Sequence, residues 1–173
     1  MKRRILFLIS ILLITGGGVA MALELNSPAF KNNEFIPKIY TCEGADNSPK
    51  LSWSGAPDGT KSFVLINDDP DAPMGTWVHW LVYDIPSSVT SLDENVPKST
   101  FLENGAKQGN TSFGSVGYGG PCPPPGKAHR YFFKLYALDT LLNLKPGVNK
   151  SQLIKAMEGH VLAEAQLVGL YKR

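Results

Sequence analysis

Residues 68–80 read DDPDAPMGTWVHW and follow an apolar run, FVLI, at residues 63–66. The run predicts a buried strand, so three carboxylates crowd the end of that strand, with Pro70 between them and Pro73 after them. Folding gains nothing from packing like charges together, so such a cluster indicates a functional site. A second polar stretch, GGPCPPPGKAHRY, occupies residues 119–131. Each stretch delivers one histidine, His79 and His129, and together they predict a small anion pocket.

The rest of the chain predicts a mostly β fold. Short apolar segments, several of them rich in β-branched and aromatic residues, recur between turn signals, as strands do. They are Phe35–Tyr40, Leu51–Trp53, Ser62–Asn67, Trp77–Ile85 and Arg130–Leu138. Residues 77–83 and 132–138 are apolar at almost every position, which predicts strands covered on both faces.

Few helices are expected. Ser151 is the predicted N-cap of a short helix over residues 152–158, and Gly159 ends it. The segment Val161 to Tyr171 suits a helix as well as a strand, and its pattern does not decide between them. Residues 104–120 form a loop rich in Gly, Ser and Asn, of a length that is usually functional or disordered.

The N-terminus has the parts of a secretory signal. Lys2-Arg3-Arg4 is basic, Ile5 to Ile14 is apolar apart from Ser10, and Ala20-Met21-Ala22 matches an A-x-A cleavage signal. The apolar run is shorter than the about 20 residues of a membrane span. We expect residues 1–22 to be removed and residues 23–173 to form one periplasmic or secreted domain without membrane insertion. An uncleaved anchor is the alternative.

Charge and cysteine content narrow the function. Three of the 17 basic residues lie in the leader, so the remaining 151 residues carry 14 basic and 15 acidic side chains. No basic run or arginine-rich helix indicates a nucleic-acid partner. In an exported protein the two cysteines, Cys42 and Cys122, predict a disulfide. Two free thiols are the alternative, and neither cysteine has a partner at zinc-ligand spacing.

Several motifs follow one another in a characteristic order: DPDAP at 69–73, WVHW at 77–80, GPCPP at 120–124 and HRY at 129–131. YTCEG at 40–44, SPKLSW at 48–53 and GHVLAEA at 159–165 accompany them. Together they resemble the bacterial branch of the phosphatidylethanolamine-binding protein family, also called the Raf kinase inhibitor protein family, over residues 25–171. The resemblance implies a β-sandwich with a few short peripheral helices, and it makes residues 161–171 mainly a strand.

The resemblance also implies a non-catalytic pocket for a phosphate-type or phospholipid-headgroup anion, with no cofactor and no metal. The implied ligand-binding residues are Asp69, Asp71, His79, Gly120, Pro121, His129 and Tyr131. We expect imidazole N–H groups, the Tyr131 hydroxyl and the backbone N–H groups of Gly119 and Gly120 to be the donors. Anion affinity should then fall as the pH rises through about 6 to 7.5.

The charged and aromatic neighbours have supporting roles in this interpretation. Asp69 is expected to fix a histidine ring and Asp71 to brace loop backbone. Arg130 is expected to pair with a carboxylate, with direct anion capture as the alternative. Trp77 and Trp80 pack either beside the pocket or in the plain core. Asp68 is interpreted as a strand-end residue, and His160 as a cation at a helix C-terminus.

Three features depart from the eukaryotic pattern of the family. Val78 stands where those members have a second histidine, Cys122 stands where they have a proline, and the sequence ends at Arg173 without their C-terminal helix. The last difference argues against partner-regulated kinase inhibition.

Other functions stay open at the level of sequence. Two His and two Asp could hold zinc or iron in a two-His, one-carboxylate site. A hydrolase would need Ser112 or Ser115 as nucleophile, outside any known elbow motif. The two histidines could also be satisfied core residues. An inhibitor of an extracytoplasmic protease or host protein would use another surface, and His129→Ala need not affect it.

Overall fold

A computed structural model describes residues 22–173, so the predicted leader, apart from Ala22, lies outside the described residues. The described chain is mostly β, as the sequence predicts, with a single α-helix in this part. In chain order the elements are β1 (Glu24–Asn26), β2 (Glu34–Phe35), a 3-10 turn (Lys38–Tyr40), β3 (Leu51–Ser54), β4 (Ser62–Asp69), β5 (Trp77–Pro86), β6 (Ser91–Leu92), β7 (Lys107–Gln108), β8 (His129–Leu138), α1 (Lys150–Met157) and β9 (Val161–Tyr171). The strand at 161–171 confirms what the resemblance implied for that ambiguous segment.

The strands form two sheets that pack as a sandwich. The smaller sheet has the order β1-β3-β6 and the larger the order β2-β9-β8-β4-β5-β7. Adjacent long strands are antiparallel, whereas the short β2 runs parallel to β9. The main core joins the sheets, since Leu51 and Trp53 of the small sheet pack in one cluster with Phe63 and Leu65 of the large one.

The other face of the large sheet has its own core. Val64, Ile66 and Leu81 cluster there with Leu153 and Met157 of α1. Strands β4 and β5 are therefore covered on both faces, as predicted for residues 77–83. The same prediction for residues 132–138 was wrong, because β8 alternates between buried positions and half-buried ones up to residue 136.

Two local predictions need correction. The predicted strand Phe35–Tyr40 stops at Phe35, because the chain turns at Pro37, whose carbonyl accepts the N–H of Tyr40 within the 3-10 turn. The N-cap of α1 is Asn149 rather than Ser151. Its side chain accepts from the Gln152 N–H while the Gln152 side chain accepts from the Asn149 N–H, a reciprocal capping box.

One irregularity of the large sheet positions a site residue. Asn67 and Asp68 are consecutive in β4, but their partners in β5 are Trp80 and Val78, so His79 is the extra residue of a β-bulge. A bulge leaves its extra residue outside the ladder and changes the direction of the side chain. The His79 ring packs edge-on against Tyr131 of β8, with ring centroids 5.1 Å apart.

Candidate functional site

The candidate site lies at one end of the large sheet, where β4 ends and β5 and β8 begin. Because β4 is antiparallel to both neighbours, its last residue, Asp69, meets the start of each of them. A cavity of about 220 Å³ opens there. Its lining residues are Asp69, Ala72, Pro73, Met74, Trp77, His79, Phe113, Cys122, Pro123, Pro124, His129 and Tyr131. Four of the residues implied by the resemblance are in that set, and Asp71, Gly120 and Pro121 are not.

Asp69 and His129 form a buried pair in the cavity wall. The carboxylate Oδ2 lies 2.8 Å from His129 Nδ1, and both side chains are nearly buried. The other oxygen, Oδ1, accepts the backbone N–H of Asp71 at 2.8 Å. Because both carboxylate oxygens are occupied, Asp69 fixes the His129 ring and leaves Nε2 as the nitrogen available to a ligand.

Asp71 points away from the cavity. Its oxygens accept from Arg130 Nε and Nη2 at 2.9 and 2.7 Å, and from the Arg130 backbone N–H at 3.0 Å. The hydrogen bonds of Arg130 lower the pKa of Asp71 to about 2. Asp71 therefore braces the start of β8 and does not line the cavity, because it lies in the turn beyond the last residue of β4.

His79 is held by backbone rather than by a carboxylate. Its Nδ1 donates to the carbonyl of Gly119 at 2.6 Å, which leaves Nε2 free. Burial lowers the pKa of His79, and the Gly119 carbonyl and nearby carboxylates only partly offset this. The lowered pKa favours the neutral ring at pH 7, with a lone pair on Nε2.

Tyr131 supplies an unpaired donor. Its side chain is fully buried, and its hydroxyl makes no hydrogen bond of normal length and angle within residues 22–173. Burial raises the pKa of Tyr131, and so do the charge of the Asp69 carboxylate and a weak side-chain interaction with it, so the hydroxyl keeps its proton. A buried hydroxyl without a partner costs about 1–3 kcal/mol, so a ligand oxygen in the cavity would relieve that cost.

The glycine N–H groups are not free donors, contrary to the expectation from sequence. The Gly119 N–H donates to the His79 carbonyl at 2.9 Å, and the Gly120 N–H donates to Asp46 Oδ1 at 2.7 Å. These glycines serve close approach instead. A Cβ at Gly119 would lie 2.5 Å from the Phe113 ring, and one at Gly120 would lie 2.5 Å from the Tyr40 carbonyl oxygen.

Pro121 also supports the wall from behind, because its carbonyl accepts the N–H of Cys42 at 3.1 Å. The structure places the two cysteines in a disulfide, Cys42–Cys122, with Cα atoms 5.4 Å apart. Cys122 itself lines the cavity. The sequence assigned these residues to a bridge without indicating that the bridge borders the site.

The mouth of the cavity is apolar, which the sequence did not indicate. Met74 is 91% exposed at the tip of its loop, and Phe113 is half exposed. The Phe113 ring stacks edge-on against Trp77 and His79 at 5.4 and 5.3 Å. Trp80 lies elsewhere, fully buried in the main core with Nε1 donating to Gln108 Oε1 at 2.6 Å. Of the two tryptophans, only Trp77 packs beside the site.

Known proteins share this whole domain. The family model described as phosphatidylethanolamine-binding protein matches residues 26–172. The chain belongs to the phosphatidylethanolamine-binding protein family. A UPF0098 protein of Aquifex aeolicus is 54% identical over 163 residues, which cover 93% of this chain and 94% of that protein.

Solved structures of the family agree with the fold. A phosphatidylethanolamine-binding protein homolog, CT736, from Chlamydia trachomatis shares 43% identity, with a TM-score of 0.81 over 88% of this chain and 98% of its own. Escherichia coli YbcL, a new member of the mammalian PEBP family by its description, shares 36% identity, with a TM-score of 0.82 over 87% of this chain and 98% of its own.

The features described outside the cavity bear on metal binding, membrane spans and ion pairs. In the described part of the chain, no three His, Cys, Asp or Glu side chains stand close enough to share a metal ion. None of the helices described is long and apolar enough to cross a membrane. Asp68 lies on the opposite face from the cavity, where it pairs with Lys134 and Lys150. His160 pairs with Asp139 at 2.8 Å, a partner that the sequence did not reveal.

Proposed function

We propose that the protein binds a small phosphate-type anion, free or as a phospholipid headgroup, and does not change it chemically. The observation that supports this most strongly is the Tyr131 hydroxyl, which is buried and unpaired beside the cavity. Folding leaves its desolvation uncompensated, at a cost of about 1–3 kcal/mol. A ligand oxygen would accept this hydrogen bond and remove the cost.

Two imidazoles complete the donor set. Both Nδ1 atoms are engaged, by the Gly119 carbonyl and by Asp69, so each ring offers Nε2 to the ligand. A neutral ring with its proton on Nδ1 carries a lone pair on Nε2 and donates there only after taking up a proton. An anion without protons of its own therefore binds together with a proton.

The charge balance favours a monovalent or divalent anion over a neutral ligand. When both rings are protonated, the side chains of His79, His129 and Asp69 together carry a net charge of about one positive unit. Binding should therefore tighten as the pH falls through the histidine range. Because burial lowers the pKa of His79, this ring takes up its proton at a lower pH than an exposed histidine, unless a bound anion stabilises the cation.

The proposal is tested by calorimetric titration of the purified protein with phosphate, phosphoethanolamine and sulfate at pH 6 and pH 8. Sulfate keeps its charge over this range, so any change in its affinity comes from the protein. We expect saturable binding that weakens at least about tenfold at pH 8. No inorganic phosphate should be released from phosphoethanolamine, and metal content should be measured on the same sample.

His129→Ala should abolish binding, while His160→Ala should leave it unchanged, because His160 is half exposed and pairs with Asp139 far from the cavity. Failure of all three anions to bind at pH 6 would refute the proposed function, and stoichiometric metal would favour a metal site instead.

Export belongs to the same proposal and depends on residues 1–22 acting as a cleavable leader. N-terminal sequencing of the protein from the extracytoplasmic fraction should give a start at Leu23. An intact leader would refute this part and leave the anion pocket unaffected.

A further inference from the structure

The Cys42–Cys122 disulfide borders the cavity, although nothing in anion binding requires sulfur. Cys122 lines the cavity together with Pro123 and Pro124, the next two residues of the same loop. Its partner Cys42 is 80 residues away in sequence and lies beside the 3-10 turn. The bridge therefore joins one wall of the site to a separate segment of the fold.

The bridge is accessible. Both cysteines are exposed residues, so the bridge lies at the protein surface. Exposed disulfides are in general more easily reduced than buried structural ones, because exchange begins with attack of a thiolate on one sulfur. Here the attacking thiol can approach from the cavity or from the outer surface.

The cavity wall around Cys122 is anchored by different hydrogen bonds before and after this residue. On the N-terminal side, the Gly120 N–H donates to Asp46 and the Pro121 carbonyl accepts from Cys42. The Tyr118 hydroxyl also donates to the Tyr40 carbonyl at 2.8 Å. These bonds do not depend on the disulfide, so this half should stay in place when the bridge opens.

On the C-terminal side, the hydrogen bonds run to Arg173. Arg173 Nε donates to the Pro123 carbonyl at 2.7 Å, and the Gly126 N–H donates to the Arg173 carbonyl at 3.1 Å. Without the bridge, the wall formed by Pro123 and Pro124 would depend on these two bonds to Arg173, which is an exposed residue.

Reduction also changes the charge of the wall. A disulfide sulfur is uncharged, whereas a free Cys122 thiol ionises in part near pH 8. The titratable groups that line the cavity with it are Asp69, His79, His129 and Tyr131. A thiolate among them would compete with a bound anion for the protonated rings.

We propose that this disulfide is a redox switch for the anion site: the oxidised protein holds the anion, and the reduced protein releases it. The inference rests on the proposed function. The reaction is exchange with a dithiol, which gives up two electrons and two protons. The S–S bond breaks, both cysteines become thiols, and the dithiol closes into its own disulfide.

The test compares phosphate affinity at pH 8 in oxidised protein, in protein reduced with dithiothreitol, and in the Cys42→Ser/Cys122→Ser variant. Dithiothreitol is uncharged as a dithiol and so does not compete as an anion. We expect affinity to fall about tenfold on reduction, and to fall less in the double variant, which loses the bridge without gaining a thiolate. Circular dichroism should show the same fold in all three.

The coupling must be reciprocal, so phosphate should shift the thiol–disulfide equilibrium in a dithiothreitol buffer toward the disulfide by the same factor. Equal phosphate affinity in the oxidised and reduced protein would overturn the switch, and so would global unfolding on reduction. If oxidised protein binds no phosphate even at pH 6, the proposed function fails and the switch fails with it.

Discussion

Replacing Tyr131 with phenylalanine should stabilise the fold and weaken anion binding. In the unliganded protein the hydroxyl is buried without a partner, so its removal should recover about 1–3 kcal/mol of unfolding free energy. For a domain of this size, each kcal/mol corresponds to a rise of about 2–4 °C in Tm. The same hydroxyl should donate to the bound anion, and a hydrogen bond to a charged group contributes about 1.5–3 kcal/mol, or roughly 10–150-fold in Kd.

The assay combines denaturant unfolding without anion and calorimetric titration with phosphate at pH 6. Tyr83→Phe is the matched control, because the Tyr83 hydroxyl donates to the Lys145 carbonyl at 3.0 Å and does not line the cavity. Removing that satisfied bond should destabilise the protein by about 1 kcal/mol and leave phosphate affinity unchanged.

The two tyrosines thus predict opposite signs for stability and different outcomes for binding. If Tyr131→Phe destabilised the protein as Tyr83→Phe does, the hydroxyl would have a partner in the folded state. If stability rose while phosphate affinity stayed the same, the hydroxyl would not be a ligand donor.

Three further predictions follow from the geometry of the site. Because the pKa of His79 is lower in the folded than in the unfolded chain, the unfolding free energy without anion should decrease as the pH falls below about 6.5. Denaturant titrations from pH 7.5 to 5 measure this decrease, and added sulfate should make it smaller. An unfolding free energy that does not change with pH would contradict the prediction. Asp69→Asn should weaken phosphate binding by about tenfold or more, whereas Asp71→Asn should change it by less than about twofold, both measured by calorimetry. Equal losses of affinity in the two variants would show that Asp71 also takes part in ligand binding. Gly120→Ala should lower the unfolding free energy by about 1–3 kcal/mol, and Tm with it, because the added Cβ would clash with the Tyr40 carbonyl oxygen. An unchanged Tm would refute the close-approach role of Gly120.

The sequence predicted the parts of the site that depend on residue type. A carboxylate at a strand end was enough to propose that Asp69 fixes a histidine ring, but the sequence did not indicate that this ring is His129. Composition and the motifs of the resemblance were enough for the mostly β sandwich. These inferences succeeded because charge and hydrophobic patterning are local properties of the chain.

The parts that failed depend on long-range geometry. The N–H groups of Gly119 and Gly120 are occupied by segments about 40 and 74 residues away, which no local pattern shows. Phe113 reaches the cavity from a loop whose composition indicates only flexibility. Trp77 and Trp80 looked equivalent, but Trp77 begins β5 and lines the cavity, whereas Trp80 lies further along the strand in the main core.

The bulge at His79 adds one residue, and therefore one codon, to a strand that would otherwise pair regularly at this point. Asn67 and Asp68 already face Trp80 and Val78, so an in-frame deletion of residue 79 would remove this bulge and leave the other pairings of β4 with β5 unchanged. The same deletion would remove a buried imidazole whose burial opposes its charge. One mutational step could therefore remove an imidazole from the cavity wall and keep the sandwich.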